Sequence, residues 1–231
     1  MLEKIKRLPF HKAGSLLLRT LAMGSKFVIF TYLSKYFSEQ VYGVYSLMTT
    51  TVTIAIFLLG LDFYNYAIRD ILVQPKDRAA KVASSFFLYG MIYIAFFLIG
   101  YPVFKQISYL SEFTVLIIII AISEHLNQEI YRLLVAFRKV LFANWLLFFR
   151  VAGWTIWVLF KIIFLKQEVS LGYILSVWMI FNVSTIVVTG IWFLLPIKKA
   201  FSELSVKKDW LKKGLKISMI FYAATMALKV I

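Results

Sequence analysis

An all-α integral membrane protein is the fold class this sequence predicts, and three observations predict it. Apolar residues make up 61% of the 231-residue chain and mean hydropathy is +0.83, where soluble domains carry about 45–50% apolar residues. Charged residues are only 16%, against about 25% in soluble domains. Several apolar runs reach the ~20 residues a helix needs to cross the hydrocarbon core. They are continuous rather than alternating, which favours helices over barrel strands.

Six complete spans are expected near residues 14–33, 42–66, 83–104, 113–136, 140–165 and 171–197, with a seventh beginning near 214. The chain then divides into a basic tail (1–13), a six-helix lobe (14–197), a basic linker (198–213) and the start of a second lobe (214–231). The first span is not read as a cleaved signal peptide, because Arg19 interrupts the apolar region a signal needs unbroken. The last apolar segment, Leu215 to Ile231, has no polar flank after it, and the chain is expected to be an amino-terminal fragment. A short similarity between Met23–Ile29 and Met226–Ile231 fits a duplicated second lobe.

Net charge is +15, but its distribution describes topology rather than nucleic-acid binding. The tail and the second, fourth and sixth connections hold eighteen lysines and arginines, the opposite side four. The amino terminus is therefore expected in the cytoplasm. Only Arg19, Lys26, Arg150 and Lys229 remain inside spans, with Asp62, Glu124 and Glu129 as the deep acids.

A cation at the bilayer centre costs roughly 2.5–3.5 kcal/mol on insertion scales, so it seldom faces lipid. Arg19 and Lys26 are seven residues apart, close to two helical turns, and share one helix face. Arg19 enters ~8 Å from the cytoplasmic end and can snorkel, whereas Lys26, ~18 Å in, is expected to face a cavity. Asp62 lies at a depth similar to Arg19 in the second span and reads either as its buried ion-pair partner or as an ion-responsive carboxylate. Arg150 reads as a cation held over Trp154 or as a further cation of the Lys26 cavity.

The fourth span carries the densest polar cluster: Ser123, Glu124, His125, Asn127, Gln128, Glu129, Tyr131 and Arg132. Glu124, Gln128 and Arg132 form one stripe, and Glu129 can pair with Arg132 at i,i+3. Lipid cannot wrap such a helix on all sides, so it is expected to line an aqueous route or a polar interface.

Catalytic chemistry finds little here. Two histidines and no cysteine leave Glu124-His125-x-x-x-Glu129 as a weak metal motif. Neither a Gly-x-Ser-x-Gly elbow nor a phosphate-binding loop occurs. No metal or cofactor is expected.

The order Glu39-Gln-Val-Tyr-Gly43, Gly60-Leu61 and Ala67-Ile-Arg69, after a basic tail and Leu33-Ser34, resembles the opening of polysaccharide-biosynthesis flippases. These are the Wzx-type branch of the multidrug/oligosaccharidyl-lipid/polysaccharide exporter superfamily. Arg132 and Arg138 also fit, and the resemblance covers roughly the first 200 residues. It implies the first lobe of a two-lobe, MATE-like bundle in the bacterial inner membrane. The implied activity is translocation of undecaprenyl-diphosphate-linked oligosaccharide by alternating access, for O-antigen, capsule or exopolysaccharide synthesis, with no enzymatic step. It further implies membrane lipids, a polysaccharide polymerase and chain-length proteins as partners, and a cationic cavity for which Arg19, Lys26 and Arg150 are the available positions. Asp62, Glu124, His125, Asn127, Gln128 and Glu129 are the ion-coupling or polar-cavity candidates. An ion-coupled drug exporter and a membrane-embedded transferase for lipid-linked sugars are the alternatives.

Overall fold

A computed structural model describes residues 10–73, 77–191 and 206–230 and is all-helical, with no strand among the described residues. Helix α1 spans Phe10–Tyr36, α2 Glu39–Gly60, α3 Phe63–Val73, α4 Arg78–Gln106 and α5 Thr114–Ala136. Helix α6, Val140–Phe148, passes through a π-helical turn at Phe149–Gly153 and continues as α7, Trp154–Ile163. Leu171–Thr189 forms α8 and Lys208–Val230 forms α9. Among the described residues, six segments are long and apolar enough to cross a membrane: Ala13–Tyr36, Glu39–Gly60, Arg78–Gln106, Ser111–Ala136, Val140–Ile163 and Leu171–Thr189. The chain is a multi-pass membrane protein by this measure. Residues 1–9, 74–76, 192–205 and 231 and the side chain of Lys229 lie outside the described set, and with them most of the tail, the end of the 171–197 span and the first half of the linker.

Local chemistry explains the segment ends. Ser38 and Ser170 cap α2 and α8 by accepting from Val41 N (3.5 Å) and Tyr173 N (3.2 Å). Inside α2, the Thr49, Thr51 and Thr53 hydroxyls donate to carbonyls three or four residues back, at 2.8 Å each. Such back-bonding satisfies a hydroxyl without leaving the helix.

Two expectations are corrected. The second span does not run unbroken from 42 to 66. It stops at Gly60, and Leu61 (φ 46°) and Asp62 (φ 51°) adopt left-handed backbone before α3 begins. Two consecutive non-glycine residues there cost energy and end the helical hydrogen bonding. Asp62 therefore sits at a helix break, not within a helix. The seventh helix starts at Lys208 rather than near 214, because Trp210 and Leu211 already pack inward.

Helix α5 is the hub of the bundle, packed against α2, α3, α4, α6 and α8. The larger apolar core joins α1, α2, α5, α7 and α8 through Ile29, Met48, Ile117, Trp154 and Leu175. A second core joins Phe63 and Ile71 of α3, Tyr89 of α4, Leu133 of α5 and Leu211 of α9. At that end Asp70 accepts from Lys81 and from Trp210 Nε1 (2.7 Å), and Lys207 N donates to Ser84 Oγ (2.9 Å). The second and sixth connections thus lie together. Large side chains such as Leu16, Phe27, Met91 and Leu98 remain exposed on the outer faces of α1 and α4, as a lipid-facing surface requires.

Helix α9 meets α3 at Gly214, where an added Cβ would lie 2.5 Å from the Tyr66 ring and 2.7 Å from Phe63. Gly214→Ala is expected to lower thermal stability in detergent by about 1–2 kcal/mol despite alanine's better helix propensity. Gly24→Ala, with nothing within 4 Å of the new methyl, is expected to be neutral or stabilising by up to about 1 kcal/mol. Equal melting shifts for the two variants would contradict the close approach.

The Asp70 carboxyl is held below its ordinary value of 3.8. Burial raises it, but hydrogen bonds from Lys81 and Trp210 and the charges of Lys81 and Lys213 outweigh that. The carboxylate thus supports α9 docking fully above pH ~4, and that support is lost as pH falls through the depressed value. Amide protection across α9, relative to intrinsic exchange at each pH, should fall on acidification in the wild type and be low and pH-independent over that range in Asp70→Asn.

Candidate functional site

The polar stripe of α5 faces a cavity of about 480 Å³ between α1, α2, α5 and the Trp-bearing faces of α7 and α8. Lys26 enters it from α1, Tyr45, Thr49 and Thr53 from α2, and Asp62 from the helix break. Helix α5 contributes Glu124, His125, Gln128 and Arg132, and Trp154 and Trp178 close the far wall. The cavity is therefore amphipathic: aromatic faces and hydroxyls surround a few charges.

Two of those four charges, Glu124 and Arg132, are already matched. Glu124 is only 3% exposed and Arg150 6%. Arg150 Nη1 donates to the Glu124 carboxylate and reaches the Glu124 carbonyl at 3.4 Å, while Trp178 Nε1 donates to Oε1 at 2.8 Å. Low dielectric makes this pairing obligatory, since either charge alone would be buried uncompensated. The π-helical turn presents Arg150 to Glu124. Gly153 closes that turn, where a Cβ would collide with the Phe181 ring of α8.

Glu129 forms a second closed set. It accepts from Tyr89 OH at 2.8 Å and from Arg132, as the i,i+3 spacing predicts. The Arg132 guanidinium lies 3.6 Å from the centre of the Tyr64 ring, a cation–π contact at the cavity edge. His125 is buried between Tyr93 OH, 2.7 Å from Nδ1, and Gly60, where a Cβ would stand 3.2 Å from Nε2. Among the described residues Nε2 has no hydrogen-bond partner, with Glu129 Oε1 at 3.8 Å.

The expected site residues therefore separate. Lys26, Asp62, Glu124, His125 and Gln128 share the cavity. Asn127 instead donates to the Asn182 carbonyl at 3.0 Å, tying α5 to α8. Glu129 is buried behind the wall. Arg150 does not line the main cavity and is held by Glu124 rather than over Trp154. With Asn127, Tyr131 and Thr185 it borders a space of about 10 Å³, about the size of one water. Arg19 stands on the exposed face of α1, lines no part of the cavity and forms no ion pair with Asp62. Among the described residues, Lys26 and Asp62 are the cavity charges without an ion pair.

Sequence reasoning missed the aromatic wall. Trp154 and Trp178 stack with centroids 5.6 Å apart, but nothing in two nearly all-apolar runs marks one indole over another. The one available signal is that a buried indole N–H needs an acceptor, and Glu124 is the acceptor for Trp178. No protein-family model matches the chain, and neither a curated protein nor a solved structure matches it.

Arg150→Ala is expected to cost about 3–5 kcal/mol of stability, because it strands a buried carboxylate. Adding Glu124→Gln should recover much of that loss in detergent-solubilised protein. A stable Arg150→Ala variant would instead fit an arginine kept for ligand contact.

Proposed function

We propose that this chain is part of a transporter that moves an amphiphile with an anionic head group across a membrane. The specific form proposed is flipping of undecaprenyl-diphosphate-linked oligosaccharide across the bacterial inner membrane, with no covalent chemistry. The observation that carries the reading is Lys26: a cation inside a membrane span, in a cavity of about 480 Å³, with no ion pair among the described residues. A diphosphate–sugar head group cannot enter hydrocarbon unaided, and a lysine there offsets part of its desolvation. The surrounding Tyr45, Trp154, Trp178, Thr49, Thr53 and Gln128 supply ring faces and hydrogen-bonding groups suited to a saccharide, while the polyprenyl tail stays in lipid.

The cytoplasmic placement of the amino terminus belongs to the same proposal. Its support is the convergence of the second and sixth basic connections at one end of the bundle. Asp62 supports a second reading, an ion-coupled exporter of small cations, because it is the cavity carboxylate without an ion pair among the described residues.

Full-length protein assayed by complementation of a flippase-deficient strain separates the two. Lys26→Ala should reduce surface polysaccharide about tenfold or more, as expected for a lost charged hydrogen bond, while thermal stability stays near wild type. Lys26→Arg should retain activity. Normal polysaccharide from Lys26→Ala would remove the flippase reading, and drug resistance lost only in Asp62→Asn would favour the exporter.

A further inference from the structure

Helix α9 carries a second organised charge pattern, remote from the cavity. Its inward face is Trp210, Leu211, Gly214 and Ser218, packed against α3 or buried. Its outward face over the same turns presents Lys208, Lys212, Lys213 and Lys216, all exposed, with Asp209 as the one exposed acid among them. At 100° per residue the four lysines fall within a 140° arc opposite the packed side. One turn further on, Met219 and Ile220, on the same side as the lysines, are 49% and 67% exposed. The outer surface of the helix thus changes from cationic to strongly apolar within about 6 Å of axial rise.

That step matches the boundary between phospholipid head groups and acyl chains, where long basic side chains reach outward from an apolar body. A nucleic acid or an acidic protein would leave the adjoining apolar turn without a partner. The groove between the starts of α4 and α9, about 520 Å³, is a poorer anion site because two of its three lysines are matched, Lys207 by Asp77 at 3.4 Å and Lys81 by Asp70, and the third, Lys208, is shared with the outer face. Lys208, Lys212 and Lys216 form no ion pair among the described residues, and Lys213 acts on Asp70 through its charge without forming one. We infer that the outer face of α9 is a docking surface for anionic phospholipid head groups, with Lys208, Lys212, Lys213 and Lys216 as its contacts.

The test is the selectivity of the reconstituted full chain for spin-labelled phosphatidylglycerol over phosphatidylcholine, read as the motionally restricted fraction. Wild type should prefer the anionic lipid at least fivefold, since one interfacial lysine alone supplies roughly that factor. Changing all four lysines to Gln should abolish most of the preference, and changing them to Arg should keep it. Lys35→Gln, Lys105→Gln and Lys166→Gln together, at the opposite side of the bundle, should leave it intact. Single Lys212→Gln and Lys216→Gln variants, each expected to lower selectivity about two- to fivefold, carry the test if the quadruple variant unfolds. Selectivity that survives the α9 Gln changes, or falls equally with the opposite-side set, would overturn the inference. So would displacement by inorganic phosphate beyond that of sodium chloride at equal ionic strength, which would indicate a soluble-anion site.

Discussion

One carboxylate organises the membrane interior of this protein. Glu124 of α5 accepts from Arg150 of the π-helical turn and from Trp178 of α8, so three segments distant in sequence meet on two oxygen atoms. Apolar packing between helices has no comparable specificity, because in lipid it lacks the hydrophobic drive that operates in water. A buried charge pair is different in kind: any arrangement that separates it leaves two uncompensated ions in low dielectric. The rotation of α5 about its axis is fixed by this pairing. With α5 fixed, His125, Gln128 and Arg132 follow on the cavity side, and Asn127 turns toward α8.

The second constraint is the break at Leu61–Asp62. It divides the chain between two apolar cores, one built on α1, α2, α7 and α8 and the other on α3, α4 and α9. Helix α5 contributes to both, so it is the rigid element across which the two cores are joined. The imidazole of His125 fills the space beside Gly60 where the break begins. A larger residue at 60 would have to displace a side chain already held by Tyr93.

The amino-acid sequence makes α5 legible because hydrocarbon offers no alternative fate for Glu124, His125 and Glu129: a polar group within a span must face protein or water. The Glu129–Arg132 pair is equally readable, since both members lie on one helix and spacing alone brings them together. Pairings between helices are not readable this way. Arg19 and Asp62 have similar predicted depths, but depth alone brings no two side chains together, and Arg19 lines no part of the cavity that Asp62 enters. Gly60 and Asp62 carry a recognisable helix-stop chemistry. Surrounding hydropathy masks it, because the apolar average continues through the break into α3. At α9 the opposite occurs: lysine-rich composition reads as a linker, while Trp210, Leu211 and Gly214 already supply a packed helical face.

Charge accounting then narrows what the cavity can recognise. Arg150 is matched by Glu124, and Arg132 by Glu129. A ligand competing for either arginine would have to replace a buried carboxylate and strand it, a penalty of several kcal/mol that few head groups offset. Lys26 and Asp62 carry no such penalty. They stand on different parts of the bundle, one on α1 and the other at the break between the two cores. An anionic group meeting Lys26 changes the electrostatic environment of Asp62 across the same cavity. A ligand shifts a conformational equilibrium only by its differential affinity for the two states. Lys26 and Asp62 are therefore the two cavity charges that a ligand can meet without breaking an ion pair present among the described residues.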